Sequence, residues 1–236
     1  MFKVVGVGVA LVARVAFADP YPEEVVDRPI VLNPGMTQVD ANEEFTSTTN
    51  GALRNRQFSL GADHAFGPIE IDAFLGYNAT LGVAYATGAI PGAVYFNATT
   101  GAPQSNDTLF ESQSIGVLHK AILVPRAFAL RLDAGVALAE NRATDQTWTH
   151  VLEPNASVNA EAQLAPFVAA IFGLAAGVPV EHSGANVYSS VLNLGGSLMV
   201  TVDNDWDFYA HAGYDNVTRS FKYPYIGVGV ARRFGR

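Results

Sequence analysis

Five histidines, His64, His119, His150, His182 and His211, are the side chains best suited to act as bases near neutral pH. Only one of them has a hydroxyl and a carboxylate beside it in the chain, in Glu181-His182-Ser183. A nucleophile and its base must lie within hydrogen-bond reach. Adjacent residues of a strand point to opposite faces, so this spacing is poor for a catalytic dyad. After residue 18 there is no H-E-x-x-H, no G-x-S-x-G, no P-loop and no Gly-rich dinucleotide motif. No catalytic residue, cofactor or metal set is therefore assigned. The chemistry-bearing residues that do recur are charged: Asp63, Glu70, Asp72, Asp133, Glu161 and Asp207, with Arg131, Arg233 and His211. Each falls on the polar side of a stretch in which apolar and polar residues alternate. Bare carboxylates in a low-dielectric interior are costly. They must be tied into a network, with Arg131 and Arg233 as counter-ions, or else line a path that favours cations.

The stretches that carry them read as strands, since side chains of a strand alternate between faces. Phe58, Leu60, Ala62, His64 and Phe66 share one face, against Ser59, Gly61 and Asp63. Ile69, Ile71, Ala73, Leu75 and Tyr77 oppose Glu70, Asp72, Phe74 and Gly76. Leu130, Leu132, Ala134, Val136 and Leu138 oppose Arg131, Asp133, Gly135 and Ala137. The same split recurs over 158–164, 192–202, 206–214 and 226–231, and less cleanly over 110–123 and 167–178. A first strand near 37–45 carries the weakest pattern. The parse has about ten strands, with eight or twelve as miscounts, and no convincing helix. The Ala-rich 160–176 would be broken by Pro166.

Connections at Gly67-Pro68, Pro125-Arg126, Ala165-Pro166 and Asp203-Asn204-Asp205 are tight turns. They alternate with longer ones at 46–56, 78–109, 140–157, 179–190 and 215–223. The long loop 78–109 holds a single charged residue, Asp107, and offers either a binding surface or a merely solvated excursion. An even strand count with short turns at one rim and long loops at the other describes a closed, antiparallel, up-and-down transmembrane β-barrel in an all-β chain.

Composition bears on the same choice. Of 236 residues, 49% are hydrophobic but only 15% charged, and Lys occurs only at Lys3, Lys120 and Lys222. A soluble domain carries about 25% charge. The polar faces here carry Gly, Ala, Ser, Asn and Asp with almost no Lys, which suits a narrow lumen better than a solvated exterior. The apolar content excludes intrinsic disorder, and the absence of Cys excludes a disulfide scaffold. A net charge of −8 argues against nucleic acid as a partner. Met1-Phe2-Lys3, an apolar run from Val4 and Ala16-Phe17-Ala18 fit a signal peptide over 1–18, cut before Asp19. Residues 19–36, with Pro20, Pro22, Pro29 and Pro34 and mostly acidic charge, read as an extended periplasmic leader outside any core. The barrel then occupies 37–236.

The faces decide the environment. Uniformly apolar rows can cross a hydrocarbon band, where unpaired backbone forces the sheet to close. Phe58, Phe66, Tyr77, Phe128, Trp206, Tyr214 and Phe234 lie near the ends of those rows, where interfacial rings collect. The last strand, Tyr225-Ile226-Gly227-Val228-Gly229-Val230-Ala231-Arg232-Arg233-Phe234, resembles the C-terminal strand of bacterial outer-membrane barrels. That family ends in an alternating strand with an aromatic at or next to its last position, read by the barrel-insertion machinery. Here Phe234 stands in that role, two residues before Arg236.

The resemblance implies a Gram-negative outer membrane, both termini periplasmic, with membrane lipids and the insertion machinery as partners, and a monomer. It implies no cofactor. Outer-membrane lipid A deacylases and omptin proteases are enzymes of this architecture, but no motif of theirs matches and no site is carried over. The functional expectation is a structural or surface-interaction role. The alternatives are a narrow cation-preferring pore, a lipid-modifying enzyme and a secreted soluble β-protein.

Overall fold

A computed structural model describes residues 21–47, 53–76, 78–87, 92–101, 109–142, 148–182, 190–215, 217 and 223–235. The signal-peptide segment, Tyr77, Asp107 and Ser183 lie outside them.

Twelve antiparallel strands close a barrel. In chain order they are β1 (Thr37–Ser47), β2 (Leu53–Phe66), β3 (Ile69–Leu75), β4 (Asn78–Ala86), β5 (Gly92–Gly101), β6 (Leu109–Val124), β7 (Phe128–Arg142), β8 (Trp148–Ala165) and β9 (Val168–Gly177). Then follow β11 (Val191–Val202), β12 (Trp206–Asp215) and β13 (Tyr223–Phe234). The two-residue β10 (Glu181–His182) continues the line of β9 along β8, pairing with Leu152 and Val151. Each strand pairs with its neighbours in sequence, and β1 closes the ring on β13 with Thr37 opposite Phe234 and Phe45 opposite Ile226.

The expected ten strands are corrected to twelve. Within 78–109, read as one long loop, Asn78–Ala86 and Gly92–Gly101 pair as the hairpin of β4 and β5. Leu81, Val83, Tyr85, Val94 and Phe96 form the exposed row of that hairpin. Apart from Tyr95, its inner face holds residues such as Gly82, Ala84, Ala93 and Asn97, too small or too loop-like to mark the alternation. The far rim therefore also contains one very short connection, at 76–77, between β3 and β4.

The large apolar side chains face outward. Phe172 is 64% exposed, Leu75 62% and Phe58 60%, and the Leu, Ile, Val and Phe rows of the other strands share that outer surface. In water such a surface would be an extended apolar patch far beyond what soluble monomers tolerate. Against acyl chains it is the low-energy arrangement, because the closed sheet leaves no strand edge unpaired. At the short-turn rim, Phe66, Phe128, Trp206 and Phe234 stand at strand ends. There Arg232 lies between the Trp206 ring (4.7 Å) and the Phe234 ring (4.6 Å), a cation–π arrangement suited to an interface that is apolar on one side and wet on the other. The tight turn after β11 has Asp203 and Asn204 at φ 53° and 59°, the positive φ that the two central residues of a type I′ turn require, and Asp205 donates back to the Val202 carbonyl at 3.3 Å.

Inward-facing glycines make room for lumenal tyrosines. Tyr95 lies across Gly116 and Gly135 on the next two strands, and Tyr225 across Gly213 and Gly195. A Cβ at Gly116 would sit 2.5 Å from the Tyr95 hydroxyl, which donates to Asp133 Oδ1 at 3.0 Å. Gly116→Ala is accordingly expected to destabilise the barrel by about 1–3 kcal/mol through overpacking. The midpoint of urea unfolding in lipid vesicles measures it.

Candidate functional site

A ring of twelve strands is wider than the eight whose side chains can fill their own interior. The remaining space is occupied from one end by residues 21–36. The segment expected as an extended leader outside the core runs inside the short-turn mouth instead. Its Val26 is fully buried, and Val25, Val31, Leu32 and Met36 are nearly so. Val31 packs on Ala84 and Ala93, and Leu32 and Met36 pack on Ala65. A single turn of 3-10 helix, Val25–Asp27, is its only regular structure. Pro22, Pro29 and Pro34 deprive it of amide donors for a sheet ladder. It is a plug rather than a further strand.

The plug is seated on charge. Arg28 donates from Nη1 to Asp207 Oδ2 at 2.7 Å, and from Nη2 to Asp207 Oδ1 at 3.1 Å and Thr201 Oγ1 at 2.7 Å. Arg233 donates to the same carboxylate, from Nη1 at 2.5 Å and Nη2 at 3.1 Å. Thr201 Oγ1 also donates to Asp207 Oδ1 at 2.7 Å. Two buried guanidiniums thus share one carboxylate, and Arg28 also donates to the carbonyls of Pro22 and Glu23. The Tyr21 ring lies 5.6 Å from the Arg28 guanidinium and 5.0 Å from that of Arg233. Burial raises its phenol above the ordinary value, so the ring stays neutral beside them. Elsewhere on the seat, Glu70 Oε2 accepts from the Leu32 amide at 2.6 Å. Lys120 donates to the Val25 carbonyl at 3.0 Å while pairing with Glu161 at 2.5 Å.

Beyond the plug the lumen holds space. A cavity of about 490 Å³ brings together Asp63, Glu70, Asp72, Arg131, Asp133 and Glu161, with Lys120, Arg28 and Tyr95. Asp63 and Asp72 are direct cross-strand partners, and Glu70 lies two residues from Asp72 on the same inward face of β3. A second cavity of about 500 Å³ lies toward the long-loop end, lined by Glu44, Asp215, His211, Tyr225 and Asn159 among others. His211 Nε2 is 3.2 Å from Glu44 Oε2 there.

The nine charged residues singled out in the sequence thus fall into three places. Six share the plug-side cavity, Asp207 and Arg233 form the plug's seat, and His211 belongs to the other cavity. Phe234 faces outward, 42% exposed. Sequence reasoning missed Arg28 and Lys120 altogether, and the acids Asp40, Glu44 and Asp215 on the lumen wall. Glu181 and His182 form the short β10, and their neighbour Ser183 falls outside the described residues. No group of three or more His, Cys, Asp or Glu among the described residues is arranged to hold a metal.

Comparison of the whole chain with solved structures places this geometry. The NanC porin matches with a TM-score of 0.60 at 9% identity, over 82% of this chain and 98% of that one. An outer membrane channel from Pseudomonas putida F1 matches with a TM-score of 0.61 at 12% identity, over 92% and 100%. The chain has the fold of the bacterial outer-membrane barrels. The KdgM porin, solved in complex with disordered oligogalacturonate, is a further match with a TM-score of 0.56 at 10% identity, over 84% and 99%. No family model and no curated protein sequence matches. The outer-membrane barrel fold accounts at once for the apolar exterior, the aromatic rim and the polar interior.

Proposed function

We propose that this outer-membrane barrel is a channel whose lumen favours small cations and cationic solutes. The observation that carries the proposal is the one-sided charge of the inner wall. Asp40, Glu44, Asp63, Glu70, Asp72, Asp133, Glu161, Asp207 and Asp215 line the lumenal cavities or the plug's seat. Among the described residues, the bases that accompany them there are Arg28, Lys120, Arg131, Arg233 and His211, the last beside Glu44. Lys120 is paired with Glu161, and Arg28 and Arg233 with Asp207. The unneutralised surplus is acidic. A ring of carboxylates between low-dielectric walls raises the local concentration of cations.

The KdgM porin was captured with an oligogalacturonate. Galacturonate carries a carboxylate at every sugar, and like charge in a narrow lumen repels it, so that ligand class does not transfer to this chain. The plug supports a second reading, a closed barrel with a structural or surface-interaction role. Single-channel recording of the purified protein in planar bilayers under a KCl gradient separates the two. The channel reading expects a reversal potential on the K⁺ side, and a fall in cation preference in Asp63→Asn/Asp72→Asn. Anion preference in the wild type ends the proposal. A barrel that stays silent even when Arg28 is replaced by Ala supports the structural role.

A further inference from the structure

We infer that residues 21–36 are an autoinhibitory gate: an internal ligand, hinged at Gly35, that closes the short-turn mouth and can leave it with the wall intact behind it. The inference rests on the channel reading above.

Three features of the seat carry it. First, the buried wall charges that grip the plug keep partners of their own when it leaves. Asp207 holds Arg28, but it also holds Arg233 at 2.5 Å and Thr201 at 2.7 Å. Lys120 holds the Val25 carbonyl, but it also holds Glu161 at 2.5 Å. Removing one partner of a buried ion pair is ordinarily prohibitive because it strands the other. Here neither Asp207 nor Lys120 is stranded. Arg28, the guanidinium the plug carries, would exchange Asp207 for water. Glu70 would exchange the Leu32 amide for water, because it already borders the open cavity.

Second, the attachment is lopsided. The plug's backbone hydrogen bonds to the wall lie at its C-terminal end, where Gly35 donates to the Ala65 carbonyl at 2.8 Å and Ala65 donates to that of Met36 at 3.0 Å. Gly35 has φ +84°, a conformation that favours glycine, and Pro34 precedes it. Upstream of that point the grip comes from side chains, apart from the Leu32 amide and the carbonyl of Val25. Upstream of that tie the segment is held by exchangeable polar contacts and by Val31 and Leu32 packed on the small wall residues Ala84, Ala93 and Ala65, so it can turn about Gly35 by giving up that packing.

Third, there is somewhere for the opening to lead. The cavity of about 490 Å³ lined by Asp63, Asp72 and Arg131 lies directly behind the plug, with Val25, Arg28 and Ile30 forming part of its boundary.

The absence of Cys from the chain makes the test clean. Val31 packs on Ala84, so a Val31→Cys/Ala84→Cys pair supplies the only two thiols in the protein. Oxidised, this variant in planar bilayers is expected to carry at least tenfold less current than the same preparation after reductant, and the change should reverse on reoxidation. Arg28→Ala, with no disulfide, is expected to raise open probability above wild type. If the first pair fails to give a heat-modifiable, folded band on gels, Leu32→Cys/Ala65→Cys locks the same segment from the other cluster. Equal current with the lock closed and open overturns the gate while leaving the channel. Silence from every folded variant, Arg28→Ala and the reduced pairs included, overturns the channel reading itself and the gate with it.

Discussion

Asp207→Ala is expected to lower the stability of the folded barrel by about 3–5 kcal/mol, the range for removing one partner of a buried ion pair. Asp207 is the counter-ion of both Arg28 and Arg233, whose side chains are 8% and 1% exposed. Without it two guanidiniums face each other beneath Tyr21 with no carboxylate between them. Thr201 also loses the acceptor of its hydroxyl. The order of the variants tests the geometry more sharply than the size of any one. Arg28→Ala leaves Asp207 bound to Arg233 and should cost less than Asp207→Ala. Adding Arg28→Ala to Asp207→Ala removes one stranded charge and should recover part of the loss. Urea unfolding in lipid vesicles, followed by gel migration with and without heating, reads all three. An Asp207→Ala barrel as stable as wild type would mean that the shared carboxylate does not hold this end of the barrel together.

That hub was half legible in the sequence. Asp207 and Arg233 sit on alternating strands, so their inward direction followed from the rows of Phe208 and Val230 on the opposite face. Arg28 was not legible, because four prolines and a run of acids describe a solvated leader as well as they describe a plug. What distinguishes the two is apolar content: Val25-Val26 and Ile30-Val31-Leu32 have no reason to stand in an extended periplasmic segment, and the structure buries most of them. Lys120 was obscured by a different effect. In β6 the inward position next to it along that face is Leu118, which packs toward the plug cluster under Val31. An apolar residue on the lumenal face and the polar His119 on the other blur the alternation, and the strand reads as less clean than its neighbours. The missing hairpin of β4 and β5 failed through dilution, since Gly, Ala, Thr and Asn are both good lumen linings and good loop residues. The outward rows, the closed up-and-down order and the rim of tight turns were written in large side chains and in Gly-Pro and Asp-Asn punctuation, and they survive intact. Length and lipid-facing pattern thus specify the barrel, whereas what fills it depends on contacts between residues far apart in the chain.

The facing of the strands is open to a direct energetic test. Leu132 lies on the outer face of β7, 43% exposed, between Leu130 and Ala134 and opposite Val158 of β8. Its position well inside a fifteen-residue strand puts it away from both rims. Leu132→Arg places a guanidinium among acyl chains near the bilayer midplane, at an expected cost of about 2–4 kcal/mol. Five residues along the same strand, Ala137 points the other way, opposite Ser114 of β6. Ala137→Ser adds a hydroxyl to a wall already lined with polar groups and should change stability by no more than about 0.5 kcal/mol. The comparison is internal to one strand, so differences in local propensity are small beside the expected gap. Unfolding midpoints of the two variants in the same vesicles measure it. A barrel in which both substitutions cost the same would have no lipid on the side that carries Leu132, and the apolar exterior would then need a protein partner to cover it.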